Sequence, residues 1–183
     1  MVEAGGRATA QPTEYLHTYA DLAAWSAFAG LIDVADLRGR ESAAALRTAL
    51  SLREAIFEVF TAIGRGEPPP VAALDEIRQR YAEATAAAEL VPAADGTFTW
   101  HFTGDNPDRA WWPLSTDAVR LLTTGPLDRV KVCAAEADCI GLFLDTSKNR
   151  SRRWCTMDGC GVEAKVQRQA RRRKAVRASQ TEG

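Results

Sequence analysis

The chain has 183 residues, 46% of them hydrophobic, which suffices for one ordinary domain with a real core plus a small appendage and is too apolar for a disordered polypeptide. No window reaches the run of about eighteen apolar residues that a membrane-crossing helix needs, and the first twenty residues show no basic segment leading into an apolar one, so a cytoplasmic chain without membrane attachment is expected. The net charge of −1 conceals an asymmetry: residues 1–146 carry 12 Lys/Arg against 21 Asp/Glu, a balance of −9, while residues 147–183 carry 11 against 3, a balance of +8. A strongly basic end on an acidic body points to an anionic partner such as nucleic acid.

Residues 1–12 are rich in Gly, Ala, Gln and Pro without periodicity and read as a disordered N-terminus. From Tyr15 to Ile32, Leu16, Tyr19, Leu22, Ala23, Trp25 and Ala29 recur at roughly helical spacing, with Gly30 near the end. The next helix is predicted over Ser42 to Ile63: Ser42 suits the N-cap, Leu46, Ala49, Leu50, Ile56, Phe57, Phe60 and Ile63 share an apolar face, and Gly64, Gly66 and Pro68 to Pro70 stop it. A third helix carries Val71, Leu74, Ile77, Tyr81 and Ala84 on its inner face, which makes an antiparallel helical hairpin. In LVPAADGTFTWHF, Asp95-Gly96 is a two-residue turn signal ahead of strand-forming residues 97–102, so a β-hairpin is expected. A loop, TGDNPDRAWWP, leads to a helix over 114–123 that ends at Gly125-Pro126. Near Asp128 the composition turns from Ala/Leu/Glu-rich to Cys/Arg/Lys-rich, and a second module is placed there.

All four cysteines, Cys133, Cys139, Cys155 and Cys160, fall within 28 consecutive positions, spaced C-x5-C, x15, C-x4-C. Two short pairs around a longer insert match what a tetrahedral Zn²⁺ requires, each pair closing one turn around the ion. Disulfides fit the even count but not a chain lacking a secretion signal, and scattered buried cysteines would not cluster. An iron–sulfur cluster also takes four thiolates and stays open as an alternative. Four protein thiolates leave no coordination position for substrate, so a zinc here organises the fold. Arg129 to Cys133 and the alternating Cys-Ile-Gly-Leu-Phe-Leu-Asp that starts at Cys139 read as paired short strands. A module of about 50 residues needs such a staple.

Arg150, Arg152 and Arg153 lie inside the metal loop, just before Trp154, which is expected to pack in the module's small core. Asp145, Thr146, Ser147 and Asn149 are expected to cap turns or donate to the cysteine sulfurs. Beyond Gly161 the run VEAKVQRQARRRKAVRA predicts a helix on which Val162, Val166 and Ala170 form a narrow apolar stripe and Lys165, Arg168 and Arg172 share another face. Arginine outnumbers lysine eight to three over residues 147–183, and its planar fork suits phosphate. Such contacts supply affinity and salt dependence but no sequence specificity.

The run from Cys133 through Phe143-Leu-Asp-Thr-Ser-Lys-Asn-Arg-Ser-Arg-Arg-Trp-Cys155 to Cys160-Gly161, with the arginine-rich helix after it, resembles the CGNR zinc-finger family of bacterial proteins over residues 129–174. Upstream, Ala-Leu-x-Leu-Arg-Glu-Ala-Ile-Phe at 49–57 and the Gly-x-x-Pro-Pro turn resemble the ABATE domain that precedes this finger. The resemblance implies a transcription regulator whose finger binds DNA and whose helical domain senses an effector or forms a homodimer. Two departures are visible. Val162-Glu163 stands where the family has Asn-Arg, and MVEAGGRATAQP stands where it has an apolar-Asp-Phe-x-Asn-Thr segment. Glu163 suits a helix N-terminus, but its charge is wrong for phosphate.

The expected fold class is mainly α. Residues 1–12 are a disordered N-terminus and 13–127 a helical domain with one β-hairpin; 128–177 form a zinc-stabilised β-hairpin with a basic helix, and 178–183 a disordered tail. The expected function is DNA-binding regulation, with Zn²⁺ held by Cys133, Cys139, Cys155 and Cys160 and phosphates met by Arg150, Arg152, Arg153, Lys165, Arg168 and Arg172. The alternative is a zinc-stabilised protein-interaction module. Catalysis is not expected: His17 and His101 are isolated in sequence, no phosphate-cradling glycine loop exists, and only Asp21, Glu54 or Asp105 would remain to line a pocket.

Overall fold

The structure is a computed structural model that describes residues 13–32, 42–102, 105–135 and 139–181, with side chains described as far as residue 173 in the last helix. The N-terminal expectation for residues 1–12 lies outside the described residues, as do the side chains of the basic helix from residue 174 on.

Helix α1 spans Tyr19–Phe28, shorter than the apolar spacing predicts. A reciprocal cap fixes its start: Asp21 N–H donates to Thr18 Oγ1 at 3.2 Å, while Asp21 Oδ2 accepts from Thr18 N–H at 2.8 Å. Two buried hydroxyls tie α1 to the 3₁₀ turn Pro107–Ala110, Tyr19 Oη donating to Pro107 O at 2.8 Å and Ser26 Oγ to Ala110 O at 2.6 Å.

Helix α2, Ala43–Arg65, is the central strut, capped by Ser42 Oγ accepting from Ala45 N–H at 3.1 Å and closed by Gly66. Its buried surface is wider than one stripe, because α1, helix α3 (Val71–Ala86) and the second module all cover it. Leu52 and Val59, off the predicted face, are fully buried, whereas Leu46, Leu50 and Ile63 are only partly so. Arg53 is buried too, its two terminal nitrogens bridging the Glu14 carboxylate at 2.8 and 2.6 Å and its Nε donating to Glu54 Oε1 at 2.9 Å. The Arg53 guanidinium holds the Glu14 carboxyl down to about 2, partial burial pulling the other way. On α3 the inner face is Ala73, Ile77 and Ala84; Val71, Leu74 and Tyr81 of the predicted face are exposed, a correction that follows from small alanines forming the close contact with α2 and with the helix Trp112–Thr124.

Strands β1 (Ala88–Pro92) and β2 (Phe98–Phe102) form the expected hairpin, with Ala88 opposite Phe102, Leu90 opposite Trp100 and Pro92 opposite Phe98. The turn is longer than two residues. Gly96 N–H donates to Ala93 O at 3.1 Å and Ala93 N–H to Thr97 O at 2.8 Å, so Ala94, Asp95 and Gly96 form the loop and Gly96 takes the left-handed conformation at φ 83°. Helix α4, Trp112–Thr124, starts before the predicted 114, and Trp111 and Trp112 from the expected loop are core residues. Asn106 accepts from Asp108 N–H at 2.9 Å, and Asp108 Oδ1 accepts from Trp111 Nε1 at 3.0 Å, so the polar residues of that loop anchor the indole.

The second module starts at strand β3 (Val130–Val132), antiparallel to β4 (Leu142–Leu144) as predicted. Val130 belongs to the same hydrophobic core as α2, with Leu127 and Leu142 packed against it. The backbones approach closely: a Cβ at Gly64 would sit 3.2 Å from Val132 Cγ2 and from its backbone N. The compositional change at Asp128 therefore marks a change of chemistry within continuous packing. Helix α5, Val162–Thr181, runs past residue 177.

Candidate metal centre and basic surface

The β3–β4 hairpin ends where the first two cysteines begin. Cys133 N–H donates to Gly141 O at 2.8 Å, extending the ladder one step, and Cys139 N–H donates to Ala135 O at 2.7 Å. The second pair is carried by the irregular segment 151–155, docked through Ala134 N–H to Arg153 O at 2.8 Å, and by a single wide helical turn, Met157–Gly161, that leads into α5. Together they bring Cys133, Cys139, Cys155 and Cys160 Sγ within 4.8 Å of one another, the only such cluster of His, Cys, Asp and Glu ligands among the described residues. Cys139 and Cys155 Sγ lie 3.6 Å apart, Cys155 and Cys160 3.7 Å. Four bonds of about 2.3 Å from a tetrahedral ion give sulfur–sulfur edges of about 3.8 Å, whereas a disulfide would need about 2.0 Å. All four are free thiols, with Cys133 fully buried.

Backbone donors face the sulfurs, Gly141 N–H at 3.3 Å from Cys139 Sγ and Cys155 N–H at 3.5 Å from Cys133 Sγ, the arrangement that supports thiolate charge. Position 141 is tight: a Cβ there would lie 3.2 Å from both Cys139 and Cys155 Sγ, so the sulfurs would have to give by a few tenths of an ångström. Burial pushes the Cys139 thiol up to about 11, and burial with the neighbouring thiols raises Cys160 as well. Burial also opposes ionisation of Cys133, but N–H donors from Ala135 and Cys155 outweigh it and lower its pKa. A divalent cation supplies the positive charge that would let all four ionise together.

Asp145 is the polar keystone beside this cluster. It is fully buried, and its carboxylate accepts from Lys131 Nζ at 2.6 Å, Ser147 Oγ at 2.6 Å, Ser147 N–H at 2.9 Å and Arg152 N–H at 3.1 Å. The Lys131 ammonium, with the Ser147 hydroxyl, holds its carboxyl well below the usual carboxylate range. Lys131 Nζ also donates to Arg150 O at 2.5 Å and Arg152 O at 3.3 Å. Asp145 and Ser147 thus cap the loop as expected, without donating to sulfur; Thr146 and Asn149 are exposed. Sequence reasoning missed Lys131 as the partner and Gly141 as a packing requirement; the Cys-Ile-Gly spacing was the available signal for the latter.

The six predicted cationic residues divide. Arg152 is spent on structure: its guanidinium donates to Trp154 O at 2.9 Å and to Cys155 O, and lies 4.7 Å from the Phe143 ring centroid. Arg150, at φ 52°, pairs with Asp128. Arg153 is exposed and lies 5.5 Å from the half-buried Trp154 ring. Lys165, Arg168 and Arg172 are exposed on α5 with no carboxylate partner among the described residues. The stripe of Val162 and Val166 is also exposed, at 50% and 59%, because little but the preceding turn packs against α5. His17 and His101 are exposed, Asp21 caps α1 and Glu54 accepts from Arg53.

No protein of curated function matches the chain. Residues 129–173 match the family model described as "CGNR zinc finger", and residues 1–125 match ABATE, described as "Putative stress-induced transcription regulator". With its four clustered thiols and helical body in that order, the chain belongs to the ABATE family and carries a CGNR zinc finger at its C-terminal end.

Proposed function

We propose that the protein is a cytoplasmic DNA-binding transcriptional regulator, without catalytic activity, in which a structural Zn²⁺ bound by Cys133, Cys139, Cys155 and Cys160 holds an arginine-rich surface for duplex phosphates. The observation that carries this reading is the placement of the cations. Lys165, Arg168 and Arg172 lie exposed on a helix that leaves the body directly from the cysteine-bearing turn, and Arg153 stands beside the same cluster. Zinc supplies no chemistry beyond geometry: with four thiolate ligands it has no position for a substrate. The acidic helical body contributes little attraction for DNA and keeps the cationic end directional.

A protein-interaction module is the second reading, favoured by the structural use of Arg152, the Arg150 to Asp128 pair and the acid at Glu163. Anisotropy of labelled duplex DNA at low salt separates the two. Regulation through DNA requires binding that is lost when zinc is chelated; absence of binding to any duplex selects the interaction module.

A further inference from the structure

The β1–β2 hairpin has one face that is entirely apolar. Direct cross-strand partners share a face of an antiparallel sheet, so Ala88, Leu90 and Pro92 lie with Phe102, Trp100 and Phe98, while Glu89, Val91, Thr99 and His101 occupy the other side. At the base this face joins the core: Phe102 packs at 5.7 Å from Trp112, ring centroid to centroid. Beyond the base no cover lies over it among the described residues. Leu90 is 55% exposed, Phe98 64% and Trp100 59%. Next to the arm lies a groove of about 500 Å³ between α3 and α4, lined by Tyr81, Trp100, Phe102, Val119 and Thr123, with the Asp117–Arg120 ion pair at its wall. Among the described residues the sheet has two strands, and the hairpin, residues 88–102, contains no Lys or Arg to guard its edges.

We infer that this arm and groove are the contact between two copies of the chain, each copy's Leu90, Phe98 and Trp100 seating against the other's α3–α4 groove. An arm and its receiving groove on the same molecule are the self-complementary pair that a two-fold dimer needs. The three side chains expose roughly 350 Å² of apolar surface. With the groove walls they would cover, of which Trp100 is itself a part, mutual burial comes to about 1,000 Å², the least that a specific interface needs, with aromatic anchors at its centre. The chain's own undescribed segments are poor candidates for the cover. Residues 1–12 hold only Met1 and Val2 as apolar side chains larger than alanine and proline, and residues 33–41 hold Val34 and Leu37 among five charged residues.

Sedimentation of the full chain across micromolar concentrations, without DNA, tests the inference independently of the proposed function. The wild type is expected at twice its 19.9 kDa mass. Phe98→Asp with Trp100→Lys should return it to the monomer mass, and so should Thr123→Arg, which fills the groove from α4. Phe28→Asp, at a 92% exposed site on α1, should leave the dimer intact. All of these positions are exposed, and unchanged helical circular dichroism confirms folding. A wild type that stays monomeric, or a dimer that survives both arm and groove variants, overturns the inference.

Discussion

The division of the six cationic residues makes a quantitative prediction about salt. Each phosphate neutralised contributes about −0.9 to the slope of log affinity against log salt on B-form DNA. Arg153, Lys165, Arg168 and Arg172 are exposed and available, so the proposed interface has a slope of about −3.6, equivalent to a roughly 150-fold loss of affinity between 50 and 200 mM salt. Were Arg150 and Arg152 also on phosphates, the slope would be about −5.4 and the loss roughly 1,800-fold. Arg152→Ala separates the two cases. Its guanidinium already serves Trp154 O, Cys155 O and the Phe143 ring, so the substitution should leave the slope near its wild-type value and lower stability by about 1–3 kcal/mol instead. Arg168→Ala should do the reverse, reducing the slope by about 0.9 with little effect on melting. Anisotropy titrations over a salt series, paired with thermal denaturation, read both quantities. A slope that falls by about one on Arg152→Ala while stability is unchanged would refute the structural role assigned to it.

Other outcomes follow from the same contacts. Gly141→Ala places a methyl 3.2 Å from two sulfurs held by the loop, and zinc affinity in a competitive chelator titration should fall by about 10- to 100-fold. Leu52→Ala opens a cavity at a fully buried site on α2 and should cost about 2–5 kcal/mol in urea denaturation. Glu14 has a folded pKa of about 2 against 4.5 unperturbed, so its contribution is present above about pH 4.5 and disappears as pH falls through 2. Glu14→Gln should therefore destabilise by about 2–3 kcal/mol at neutral pH, discounted for partial exposure, with the gap to wild type closing in acid; a gap independent of pH would contradict the Arg53 ion pair.

Helices α2 and α3, both hairpins and the cysteine cluster were legible in sequence because each has a local cause. Ser42 and Gly66 mark the ends of α2, Gly96 marks the β1–β2 turn, and the paired cysteines share one short segment. What escaped depends on contacts between distant residues. Leu52 and Val59 lie off the single face predicted for α2, and only its several neighbours make them core. Trp111 and Trp112 sit in a stretch whose Asn, Asp and Pro residues signal a loop; it forms the 3₁₀ turn Pro107–Ala110 and the start of α4, and its polar groups support the buried indole. In the basic segment, charge alone made Arg152 equal to Lys165. The carbonyls of Trp154 and Cys155 and the ring of Phe143, 2, 3 and 9 residues from Arg152 in sequence, decide otherwise. The apolar face of the β1–β2 arm could have been read from its alternation, but its exposure could not, since exposure depends on where the body ends.

The central claim is that metal bound by four cysteines orders the C-terminal module. Zinc quantified per chain in the purified protein, with circular dichroism before and after chelation, tests it most directly. The account predicts one equivalent of zinc. Removal should abolish the finger's ordered structure and duplex binding, and should loosen the body as well, because Val130 belongs to the core around α2. A chain that purifies with no metal, keeps its full secondary structure and melts identically with and without chelator would contradict it.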